Sequence, residues 1–141
     1  MGYRSDIVLA YVFKHKEQID EVMAIYRMHP LVQQYDLAKD WEVHDWNGWW
    51  GLTYQVEGTK WYDNYEDVQG YEHMFDVVQQ FVKERDVFLY AYRKIRLEKP
   101  GRIGEDDTDI EYGDDSNDPD GELMYELYDR VSLRRDIVTN F

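Results

Sequence analysis

Residues 41–57, WEVHDWNGWWGLTYQVE, leave the chain little freedom in how it folds locally. Asn47-Gly48 suits a two-residue type I′ turn, because both central positions of that turn need positive φ. A turn there pairs Trp46 with Trp49, and the register runs outward: Asp45 opposes Trp50, Val43 opposes Leu52, and Trp41 opposes Tyr54. Directly opposed residues share a face of the sheet. Trp41, Val43, Trp50, Leu52 and Tyr54 are therefore expected in the core, with Glu42, His44, Trp46, Trp49 and Thr53 on a more exposed face.

The flanking segments supply the rest of an α+β domain. SDIVLAYVF, residues 5–13, is β-rich and nearly continuous in apolar character, as in a central strand. In KEQIDEVMAIYRMH, Ile19, Val22, Met23 and Tyr26 recur at helical spacing. Pro30 disfavours helical geometry at His29 and is well suited to open a second, short helix through about Ala38. Asn64, followed by Glu66 and Asp67, starts another helix, with carboxylates favoured at its positive end. Val68, Tyr71, Phe75, Val78 and Val82 continue its stripe to about Arg85. DVFLYAYRKIRLE then alternates as a strand, with Val87, Leu89, Ala91, Ile95 and Leu97 sharing a face with Arg93. Phe88, Tyr90, Tyr92, Lys94 and Arg96 form the opposite face. Pro100-Gly101 ends it. ELMYELYDRVSL is a further strand candidate, with Leu123, Tyr125, Leu127, Val131 and Leu133 on one face. The order β-α-β-β-α-β predicts a ferredoxin-like split βαβ unit, an antiparallel sheet with two helices on one face, and an added C-terminal strand. At 141 residues the chain is expected to form a single domain, 1–141.

Charge is the second constraint. Thirty Asp and Glu against sixteen Lys and Arg give a net charge of −14. The imbalance is segregated: residues 1–82 carry −8, 83–102 carry +4, 103–122 carry −10, and 123–141 balance. Residues 104–122, GEDDTDIEYGDDSNDPDGE, hold ten acids and no base. Such a chain repels nucleic acid at long range and favours partners with positive surfaces. It has no cysteine, which removes disulfides and thiolate chemistry and fits a reducing cytoplasm. No apolar run approaches the roughly 18–20 residues that cross a bilayer. MGYRSDIVLAYVF has one basic residue and no small-residue cleavage site, and reads as mature protein. Asp6 stands where a myristoylation signal has Ser or Thr.

The acidic stretch 103–122 is expected to be a loop, and three readings compete for it. It is a solvated connection that partly neutralises the basic strand before it, a metal site, or a surface that imitates a polyanion. As an EF-hand it fails at both ends: with Gly121 at the sixth position, Ser116 falls at the first and Leu127 at the twelfth. As a mimic it suits a nucleic-acid groove, since duplex DNA presents one charge per about 1.7 Å. The stripe Phe88, Tyr90, Tyr92, Lys94 and Arg96 has the composition of an RNA-stacking platform, but no RNP1-like run accompanies it and the net charge opposes polyanions. Burial between subunits is the competing reading for Phe88, Tyr90 and Tyr92. The four histidines, His15, His29, His44 and His73, show no metal-ligating spacing. His44 and Asp45 are adjacent on a strand and point to opposite faces, so they make no direct dyad. No nucleophile elbow or phosphate-binding glycine loop occurs. The residues therefore imply no catalytic group, no cofactor and no metal. Trp46 and Trp49, at the hairpin tip, are candidate apolar anchors, since Trp is enriched where partners bind.

MGYRSD, together with KWYDNYEDVQGYEHM, resembles small tailed-phage proteins that begin Gly-Tyr-Arg-Ser-(Asp/Glu) and carry a Lys-Trp-Tyr-Asp segment before the second helix of the split unit. The resemblance implies a phage accessory protein acting in the bacterial cytoplasm, where small acidic phage proteins often inhibit host defence or recombination nucleases. The expectation is a non-catalytic protein that binds a basic surface of a host protein, without nucleic acid or membrane as partner. Asp106, Asp107, Asp109, Asp114, Asp115 and Asp118 would supply the charge. The alternatives are an oligomeric structural protein, a homodimer being its simplest form, and a ligand-binding domain or enzyme with the Trp-rich hairpin as a pocket wall.

Overall fold

The computed structural model describes residues 4–84, 90–99, 106–112, 131–133, 137–139 and 141, with side chains over 6–81 and at 141. The chain is α+β. Its strands are β1 (Arg4–Phe13), β2 (Glu42–Trp46), β3 (Trp49–Thr59), β4 (Tyr90–Lys99), β5 (Asp106–Tyr112), β6 (Val131–Leu133) and β7 (Ile137–Thr139). Its helices are α1 (Lys16–Tyr26), α2 (Pro30–Tyr35) and α3 (Glu66–Glu84), with a 3-10 turn over Leu37–Asp40. Five strands form one sheet in the order β2-β3-β1-β4-β5, every neighbouring pair antiparallel, and β6 and β7 pair separately. Among the described residues no helix is long and apolar enough to cross a membrane.

The hairpin forms as its turn chemistry requires. Asn47 and Gly48 take φ of 57° and 93°, and Trp46 pairs with Trp49, Asp45 with Trp50 and Val43 with Leu52. Ile19, Val22, Met23 and Tyr26 of α1 are buried, as are Val68, Tyr71, Met74, Val77, Val78 and Phe81 of α3. Both helices lie over the face carrying Ile7, Leu9, Tyr11 and Phe13 of β1 and Leu52 and Tyr54 of β3, and these residues make one continuous core. Pro30 opens α2, and the His29 ring caps it by accepting from the Leu31 N–H at 3.2 Å. Near the start of β1 the register slips between Ser5 and Ile7, and Asp6 between them accepts from the Gly58 N–H at 2.9 Å. The acid of the MGYRSD motif thus satisfies a strand irregularity.

Four expectations change. Residues 106–112 are not loop: they are the fifth strand of the sheet, paired with β4 from Ala91↔Tyr112 to Leu97↔Asp106. The sheet therefore gains a strand from the acidic stretch itself. Val131 and Leu133, expected on a strand of this sheet, lie in the separate β6–β7 ribbon, and Leu123, Tyr125 and Leu127 lie outside the described residues. Trp46 and Thr53, expected near solvent, are each 1% exposed. The reason is that the second face of the sheet is also covered: Val8, Ala10 and Val12, on the face away from the helices, have no exposed surface, and Phe141 packs on Trp46 at 5.9 Å between ring centroids. Val43 moves the other way. It sits on the helix-side face but on edge strand β2, where it stays exposed.

Candidate functional site

The β4–β5 ladder brings the basic and acidic segments together. Asp107 stands opposite Arg96, Asp109 opposite Lys94, and Glu111 opposite Tyr92. Opposite charges at directly facing positions attract, and each such pair contributes roughly 0.2–1 kcal/mol. Aspartate is a poor strand former on its own. A cationic neighbour strand supplies the physical reason that DDTDIEY adopts one. Asp106 opposes Leu97 and so falls on the other face. Asp114, Asp115 and Asp118 lie outside the described residues.

The same register relocates the aromatic stripe. Tyr92 opposes Tyr11 and Tyr90 opposes Phe13, so both fall on the helix-side face, with the two buried β1 aromatics. An RNA-stacking platform uses a sheet face open to bases. The position of Tyr90 and Tyr92 argues against that reading, and equally against an outward-facing subunit interface. Phe88 lies outside the described residues.

At the hairpin, Trp49 is half-buried and Trp46 is enclosed. The Trp46 ring lies over Gly51: a Cβ at that glycine would come within 2.6 Å of three ring atoms. His44 stacks on Trp46 at 5.4 Å with an interplanar angle of 9°, and Phe141 meets His44 at 5.0 Å. His44 Nε2 shares a hydrogen bond with Thr53 Oγ1 at 2.8 Å and lies 3.7 Å from Glu42 Oε2. Both contacts use one nitrogen. Thr53 is buried on β3, so its bond with His44 ties β2 to β3. Trp46 is therefore removed from the set of exposed anchors, and of the two Trp49 keeps accessible surface.

A second cluster fills the space between sheet and helices, built on Trp41, Tyr54, Tyr26 and Tyr71, all expected on core faces, with Trp61 added. Tyr54 stacks on Tyr71 at 4.0 Å, with Trp61 at 6.0 Å and Trp41 at 5.8 Å. Trp41 donates from Nε1 to the Tyr26 hydroxyl at 3.2 Å, which donates to the Gly70 carbonyl at 2.9 Å. The Tyr71 hydroxyl donates to Asp40 at 2.6 Å, and Trp61 Nε1 to Glu72 at 3.3 Å. Burial pushes the Tyr54 phenol up to about 12, and burial raises Tyr26 and Tyr71 further, with the Asp40 bond adding to the rise at Tyr71. Burial keeps these phenols protonated, and they hold the hydrogen bonds of the core.

An open depression of about 400 Å³ lies among Arg27, Val32, Gln33, Asp36, Ala38 and Lys39. Lys39 is tied to Asp36 at 3.3 Å, and Gln33 donates to the Arg27 carbonyl at 3.0 Å. Among the described residues, no group of three or more His, Asp or Glu is placed to hold a metal ion. No protein-family profile, curated protein or solved structure matches the chain.

Proposed function

We propose that this chain is a non-catalytic acidic phage protein that binds and blocks a basic, nucleic-acid-handling surface of a bacterial host protein. We infer for its scaffold the ferredoxin-like split βαβ arrangement. The strand order β2-β3-β1-β4, antiparallel throughout with α1 and α3 in the two crossovers, supports that inference. The observation that carries the functional reading is where the acids begin. The ten-acid run enters the sheet as β5, which is the outermost strand in the order, and continues past it. In β5, Asp107 and Asp109 face bases of β4 while Asp106 and Glu111 do not, so the charge proposed for a partner is that of these two and of acids that follow, among them Asp114, Asp115 and Asp118. Carboxylates at this density repel nucleic acid and attract the cationic grooves that hold it. Trp49 adds an apolar contact at the opposite edge of the sheet.

The test is affinity capture from bacterial lysate with wild type and with the triple variant Asp114→Asn, Asp115→Asn, Asp118→Asn. It is followed by competition between the chain and duplex DNA for the purified captured protein. The expected result is a DNA-binding protein held by wild type, released by moderate salt, lost by the variant and displaced from its DNA by the wild-type chain. A partner held equally by both forms, or one that binds DNA and this chain at once, overturns the reading.

A further inference from the structure

Tertiary folding brings together two histidines 44 positions apart. His29 precedes α2, and His73 lies in the middle of α3. Their ring centroids are 3.9 Å apart and tilted by 39°. Each ring has a second tie. His29 Nδ1 accepts from the Leu31 N–H at 3.2 Å, which makes it the cap of α2. His73 Nδ1 lies 3.7 Å from Asp76 Oδ2, and its ring stacks on Tyr26 of α1 at 6.5 Å. We propose that His29 and His73 form a proton-operated clasp that holds α2 against α3 when the rings are neutral and releases it on acidification.

The chemistry follows from the contacts. A nitrogen that accepts a hydrogen bond cannot carry a proton, so protonation at His29 Nδ1 removes the acceptor of the Leu31 amide. Pro30 has no N–H, which makes the Leu31 amide the first donor of α2 that needs a partner. A six-residue helix has few other bonds to hold it. Charge on both rings would set two cations in contact, opposed only in part by Asp76. The groups facing His73 are His29 from the α2 start, Asp76 on its own helix and Tyr26 from α1. Burial, then the neighbouring His29, lowers its proton affinity, and Asp76 works the other way. A histidine whose folded pKa lies below its ordinary value binds fewer protons folded than unfolded. Its contribution to stability is therefore present above the ordinary pKa, about 6.5, and is lost as pH falls below it.

What α2 holds is the path to the hairpin. Leu37, after α2, packs against Gly70 of α3, and Asp40 accepts from Tyr71 before the chain enters β2. Release of α2 therefore loosens the helical layer from one side while the sheet stays paired.

Amide hydrogen exchange read by NMR between pH 8 and 5, corrected for intrinsic rate, tests the clasp. In wild type the Leu31 amide should lose protection by roughly fivefold, the scale of one lost cap. In His29→Asn, whose side chain caps without titrating, Leu31 protection should stay flat. In His73→Gln the fall should move to lower pH. Unchanged Leu31 protection in wild type, or an equal fall in His29→Asn, overturns the proposal. Neither result depends on the identity of any partner.

Discussion

Tyr54→Ala is expected to lower unfolding free energy by about 3–5 kcal/mol, the range for removing a large aromatic from a packed core. Tyr54 is the ring the others share: it touches Tyr71, Trp61 and Trp41, which come from α3, from the segment before it and from the entry to β2. Truncation opens a space among those rings, and the hydrogen-bonded groups around them, Tyr26, Asp40 and Gly70, lose packing that fixes their geometry. Tyr54→Phe isolates the hydroxyl. Tyr71 keeps its bond to Asp40, so the cost should stay within about 1 kcal/mol. Urea unfolding of the three forms measures both numbers. An alanine variant within about 1 kcal/mol of wild type would mean the aromatic layer is loosely packed.

Gly51→Val should cost about 2–3 kcal/mol, the upper part of the range for forcing extra atoms into a filled space. Valine is the better strand former, and at an open position the change would be stabilising. Here the sign reverses because the Trp46 ring occupies the site of the new side chain. Moving the ring costs its packing, because His44 stacks beside it and Phe141 packs against both. At roughly 3–4 °C per kcal/mol for a chain of this size, the melting temperature should fall by about 6–12 °C. Tryptophan emission should shift to the red as Trp46 is levered toward water. A variant as stable as wild type with unshifted emission would contradict the enclosure of Trp46.

Much of this was legible where local chemistry decides the outcome. Asn47-Gly48 fixed the hairpin register, the α1 stripe named its buried residues, and Pro30 marked the start of α2. The burial of Trp46 was not read, although a signal existed. SDIVLAYVF is apolar at even and odd positions alike, and a strand of that kind needs both its faces covered. Taken seriously, it requires the face carrying Trp46 and Thr53 to be dry. Strand β5 was hidden for a different reason. Asp-rich segments lack strand propensity, and only the cations of β4 at facing positions make this one favourable. The histidine pair was invisible because nothing local links positions 29 and 73.

On the proposed reading the acidic stretch has two parts: Asp107 and Asp109 serve the sheet, and the acids beyond β5 serve the partner. Thermal unfolding of two double variants tests that division most directly. Asp107→Asn with Asp109→Asn removes two facing charges and should cost about 0.5–2 kcal/mol. Asp114→Asn with Asp115→Asn should leave the midpoint unchanged or raise it slightly, by relieving self-repulsion in a chain of charge −14. Equal midpoints for the two variants, or a loss of stability confined to the second, would contradict the account.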